Sequence, residues 1–171
     1  RIGSEVFHSL EDILKSKGFS TNVGNEGGFA PSLKSNQEAL DFIVAAIEKA
    51  GYVPGSDVSI GIDFAASEFF IANKPGDSDD EYNLRVDKKV LDTEEWIQKI
   101  KSLLKKYPII SIEDPFAEDS WTSWSEFLEE VNSFGTKLEQ VVGDDLLVTN
   151  TERIKKAIDK KSCNALLVKV N

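Results

Sequence analysis

The stretch Ile109-Ile110-Ser111-Ile112-Glu113-Asp114-Pro115-Phe116 decides how this chain folds. Its isoleucines, interrupted by a single serine, suit a short strand buried on both faces, and Pro115, which has no amide hydrogen, cannot extend a ladder. Glu113 and Asp114 therefore stand at the carboxyl end of a strand. In parallel α/β folds those ends are where ligands and catalytic groups gather.

The same signature recurs on either side. Val58-Ser59-Ile60-Gly61-Ile62-Asp63-Phe64 is predicted as a strand closing on Asp63, and Gln140-Val141-Val142-Gly143-Asp144-Asp145 as another closing on acids. Helices fill the intervals. Asp92 or Thr93 with Glu95 opens one whose stripe is Trp96, Ile97, Ile100, Leu103 and Leu104, and Trp121, Trp124, Phe127, Leu128 and Val131 mark the next. Thr151 to Lys161 is a third, with Ile154, Ala157 and Ile158 inward, and it leads to a last predicted strand from Ala165 to Asn171 that carries Lys169.

Upstream, Ile2, Val6, Leu10, Ile13 and Leu14 recur at helical spacing, and Gly18 stands where a C-terminal cap belongs. Thr21 to Val23 then reads as a short strand running into a glycine-rich loop, through Pro31, that carries Glu26. Ser35 or Asn36 caps a second helix, which ends at Gly51. After Asp63, the segments Glu68–Ile71 and Tyr82–Val86 flank a Pro/Gly/Asp-rich run, so a surface hairpin is predicted there with 73–81 as a mobile loop. Strands and helices alternate through most of the chain. That implies an α/β fold with a parallel sheet, right-handed crossovers and all strand-end acids on one rim. An open doubly wound sheet lacks support, because no G-x-G-x-x-G or Walker loop follows the first strand.

Composition bounds the function. The chain has 171 residues and a formal net charge of −10, with no basic tract, which argues against a nucleic-acid or anionic-membrane partner. No run of about 18 apolar residues encodes a membrane span. A single cysteine, Cys163, excludes an internal disulfide framework and suits a reducing compartment. His8, the lone histidine, lies on the first helix and is read as a surface or structural residue. The length falls short of the ~250 residues typical of a closed (β/α) barrel, so one domain or part of one is expected.

Asp63, Glu113 and Asp144 end successive strands, and three anions brought so close repel strongly unless a cation sits among them. Oxygen donors without histidine or thiol favour magnesium over zinc. Lys169, at the end of the next strand, is placed as a general base if desolvation and nearby positive charge lower its pKa. Glu26 adds a second acid. A base, a metal triad and an acid at the mouth of a barrel suit abstraction of a proton next to a carboxylate, with the metal holding the enediolate.

G-N-E-G-G-F-A-P, G-I-D-F-A-A-S-E-F-F, S-I-E-D-P-F-A-E-D-S-W, G-D-D-L-L-V-T-N and L-L-V-K-V-N, in this order, resemble the barrel domain of the enolase family through essentially the whole chain. The resemblance implies a partial TIM-type barrel over residues 1–171, with the N-terminal lid domain and the C-terminal end of the barrel lying outside it. It further implies a cytoplasmic, glycolytic hydro-lyase, homodimeric or larger, that interconverts 2-phosphoglycerate and phosphoenolpyruvate. In that family's scheme Asp63, Glu113 and Asp144 bind Mg2+, Lys169 takes the C2 proton, and Glu26 assists departure of the C3 hydroxyl. Asp114 would support its neighbours from behind. One departure is Asn25, where the family commonly carries aspartate. The resemblance also implies that 171 residues alone are catalytically weak or inactive. Two alternatives are another enolase-superfamily enzyme acting on a non-phosphorylated carboxylate, and a non-catalytic binding or structural module.

Overall fold

The computed structural model describes residues 1–71, 80–135 and 137–170. They fall into two compact units, Arg1–Ser59 and Ile60–Asn171.

In the first unit, helix α1 (Ile2–Ser16) packs on helix α2 (Asn36–Lys49). Leu14, Leu40, Phe42, Ala46 and Ile47 are buried. Gly18 takes φ +77° just past α1. Its amide donates to the Lys15 carbonyl at 3.0 Å while the Phe19 amide reaches back to Leu14 at 2.9 Å, the paired bonds by which a left-handed glycine closes a helix. At the start of α2 the Ser35 hydroxyl accepts the Glu38 amide at 3.2 Å. The strand expected at Thr21–Val23 does not form. Only an isolated antiparallel bridge joins Val23 to Phe29, because the glycines that follow turn the chain back at once and Val23, 55% exposed, has no apolar face to bury.

The second unit contains strand β1 (Ile60–Asp63), then an excursion of β2 (Phe70–Ile71), β3 (Glu81–Leu84) and β4 (Lys89–Asp92). Helix α3 (Thr93–Lys106), β5 (Ile109–Glu113), α4 (Trp121–Ser133), β6 (Gln140–Gly143), α5 (Thr151–Lys160) and β7 (Ala165–Leu166) complete it. β1, β5, β6 and β7 form a parallel sheet in that order. These are four of the eight strands a closed barrel of this type requires, so the fold is α/β with strands and helices alternating as the sequence predicts. The excursion pairs as the expected hairpin, β2 with β3, but gains a third antiparallel strand in β4. β4 escaped prediction because its residues are mostly exposed and its apolar pair, Val90 and Leu91, is flanked at once by charged residues. The predicted mobile loop falls at 73–79 outside the described residues, whereas Glu81 belongs to β3. The last strand is shorter than predicted, ending at Leu166.

Helices α3 and α4 cover the sheet with the residues their spacing selects. Trp96, Ile97, Ile100, Trp124, Phe127 and Leu128 are buried with Ile109, Ile112 and Val141 of the strands; each such side chain contributes roughly 1.5–3 kcal/mol by leaving water. Asp92 ends β4 and caps α3 at once: its carboxylate accepts the Glu95 amide at 2.8 Å, and the Glu95 carboxylate accepts the Asp92 amide at 3.2 Å. The tryptophans are core residues, as read from the sequence.

Candidate metal centre at the strand ends

The sheet register builds the site. Asp63 and Glu113 are paired residues at the ends of β1 and β5, and Glu113 is in turn paired with Val142 of β6, two residues before Asp144. Lys169 follows β7, and its Nζ lies 2.8 Å from Asp144 Oδ1. Asp63, Glu113, Asp144 and Lys169 therefore meet on one rim. Glu26 belongs to the first unit. It is exposed in a turn closed by the Gly27 amide donating to the Gly24 carbonyl at 3.0 Å, with Gly27 at φ +82°.

Asp114 leaves the β5 ladder through a left-handed turn at φ +39°, a conformation that costs a non-glycine residue roughly 1–2 kcal/mol and that Asp tolerates better than most. The residue is 2% exposed, and its carboxylate accepts the amides of Asp144 at 3.1 Å and Asp145 at 2.8 Å, one on each oxygen. It thus clips the end of β5 to the turn after β6. The segment beyond is fixed by two buried indoles: Trp96 Nε1 donates to the Pro115 carbonyl at 2.7 Å, and Trp124 Nε1 to Ala117 at 3.1 Å.

Among the described residues, two groups of carboxylates have oxygens within 4.8 Å of one another: Asp63, Glu113 and Asp114, and Asp114, Asp144 and Asp145. The three strand-end acids predicted from sequence are thus joined through Asp114 rather than forming the tightest triad themselves. Sequence spacing marked Asp114 and Asp145 only as second members of acidic doublets, and doublets are too common to single out.

The charges are mutually strained. Burial first, and then repulsion from Asp63, Asp114 and Asp144, raises Glu113 to about 7, with Lys169 pulling the other way. Burial raises Asp114 to about 6 against the amides that favour its anion. Such carboxylates gain from a shared hard cation, and the all-oxygen donor set fits magnesium. The Asp144 carboxylate holds the Lys169 ammonium and raises its pKa, and with the side chain 56% exposed the lowering expected of a base would have to come from the charge of a bound metal rather than from burial. The half-buried Cys163 thiol is pushed up by burial and then by the Asp114 charge, and His8 is exposed on α1.

A parallel α/β sheet that gathers acids and a lysine from successive strand ends on one rim fits a part of the barrel class of α/β proteins. Residues 1–171 match the family model described as "Enolase, C-terminal TIM barrel domain", and the chain belongs to that family. A curated relative named enolase, from Natranaerobius thermophilus, is 47% identical over all 171 residues, and the chain spans 38% of that relative's length. No helix among the described residues is long and apolar enough to cross a membrane.

Proposed function

We propose that these residues form one partial barrel domain of an enolase, a cytoplasmic, homo-oligomeric hydro-lyase that reversibly dehydrates 2-phosphoglycerate to phosphoenolpyruvate in glycolysis and gluconeogenesis. The observation that carries the reading is the rim itself, where Asp63 and Glu113 stand in register and Asp144, on the next strand, contacts Lys169 at 2.8 Å. Asp63, Glu113 and Asp144 would hold magnesium. When bound, the ion supplies positive charge against the negative charge that develops on the substrate's carboxylate.

The protein's own groups divide the remaining work. Lys169 removes the C2 proton, and its amine becomes available as the charge on Asp144 is neutralised. Glu26 protonates the departing C3 hydroxyl, a role resting on the family resemblance of its glycine-rich loop. The segment by itself is proposed to be weakly active or inactive, since the lid and the rest of the barrel lie outside these residues.

The test is Glu113→Gln in the full-length parent. Wild type is expected to form phosphoenolpyruvate only with magnesium, and the variant to lose both activity and magnesium affinity measured by calorimetry. A variant that binds magnesium as wild type does would overturn the reading.

A further inference from the structure

The turn between β6 and α5 contains two consecutive β-branched residues in the left-handed region, Val148 at φ 41° and Thr149 at φ 52°. Side chains branched at Cβ enter that region rarely, and such outliers persist only where the surroundings hold them. Both ends of this turn are held. The Asp144 carbonyl accepts the amides of Leu147 at 3.1 Å and Val148 at 2.7 Å, and Asn150 caps α5 by accepting the Glu152 and Arg153 amides at 2.9 and 3.1 Å.

Between these anchors the Thr149 hydroxyl accepts the backbone amide of Lys169 at 3.0 Å. The side chain of the same lysine returns to Asp144 Oδ1 at 2.8 Å. Lys169 is thus held at two points by one turn, its main chain by Thr149 and its ammonium by Asp144. The ordered ladder of β7 has already ended at Leu166, so at Lys169 this hydroxyl takes over the job a neighbouring strand would do.

We infer that Thr149 is a positioning residue for the base: its left-handed backbone aims the hydroxyl across to the neighbouring strand end and fixes where the Lys169 amine stands. The inference rests on the proposed role of Lys169. Proton transfer is sensitive to such placement, since a displacement of about 1 Å can cost on the order of 10²-fold in rate.

The test uses the full-length enzyme, 2-phosphoglycerate and saturating magnesium. Thr149→Val keeps the shape and branching but cannot accept the hydrogen bond; kcat is expected to fall about tenfold to a hundredfold with KM nearly unchanged. Thr149→Ser restores the acceptor and is expected to recover most of the loss. Thr149→Gly relieves the left-handed conformation while deleting the hydroxyl, so it should melt no lower than wild type yet share the kcat defect of Thr149→Val. A Thr149→Val or Thr149→Gly enzyme with wild-type kcat would overturn the inference, as would a Thr149→Ser enzyme no better than Thr149→Val. Lys169→Ala separates the two failures: if it keeps full activity the base assignment falls and this inference with it, whereas an inactive Lys169→Ala beside a fully active Thr149→Val refutes the positioning role alone.

Discussion

Lowering the pH should expel magnesium from the rim through one residue. Glu113 is raised to about 7 by burial and by the charges of Asp63, Asp114 and Asp144, so protons and the cation compete for the same carboxylate over an accessible range. At about pH 8 the group is nearly all ionised, whereas at about pH 5 roughly one molecule in a hundred is, so the apparent magnesium affinity should weaken about 100-fold between them. Asp114, raised to about 6, has both oxygens engaged by backbone amides and is not counted as a ligand. A much steeper slope would mean that its ionisation is required as well.

Stability follows the same linkage with the opposite sense. Because the folded carboxyl titrates above its unfolded value of 4.5, the native state binds the proton more tightly between 4.5 and about 7. Magnesium-free protein should therefore lose stability as pH rises through that window, and added magnesium should restore more of it at the alkaline end. The assay is calorimetric titration of the full-length protein with magnesium at a series of pH values, beside melting curves with and without the ion. Glu113→Gln, which cannot titrate, should bind weakly and without the slope. An affinity that stays within threefold from about pH 8 to about pH 5 would refute the argument, because proton competition at Glu113 would then be absent.

Two further substitutions test what supports the rim. Trp96→Phe removes the buried indole donor to the Pro115 carbonyl while keeping most of the ring; it should destabilise the protein by about 1–3 kcal/mol in denaturant titration, with the unpaired carbonyl as the cause. Asn150→Ala deletes the side-chain cap that accepts the Glu152 and Arg153 amides and should cost about 1 kcal/mol, with magnesium affinity unchanged because the substitution leaves the Asn150 backbone bond to Leu147 in place.

Much of the second unit was legible because its strands announce themselves twice. Ile109–Ile112, broken only by Ser111, and the shorter Val141-Val142-Gly143 each halt at acids, so strand type, direction and rim position follow from one pattern. Caps such as Asp92 with Glu95 were readable for a similar local reason, since the whole device spans four residues. The short strand predicted at Thr21–Val23 failed where one valine faced a run of glycines, and β4 was missed where charged residues sit in a strand held by pairing rather than burial. At Lys169 the desolvation half of the expectation took the sequence's apolar neighbours for burial, but Val168 is 60% exposed and Val170 93%, and the Asp144 carboxylate holds the ammonium.

By itself, then, the sequence determined the alternation of strands and helices, the acids that end the strands, and the family, because these depend on local periodicity and on motif order. Only the tertiary structure decided how those acids are connected. That Asp63 stands in register with Glu113, that Asp114 turns left-handed to grip the amides of Asp144 and Asp145, and that Thr149 and Asp144 together hold Lys169 are contacts between residues 20 to 50 positions apart. Sequence spacing places a residue on a strand end or a turn, but the partner that a carboxylate, hydroxyl or ammonium meets there is set by the register and turns of the neighbouring strands.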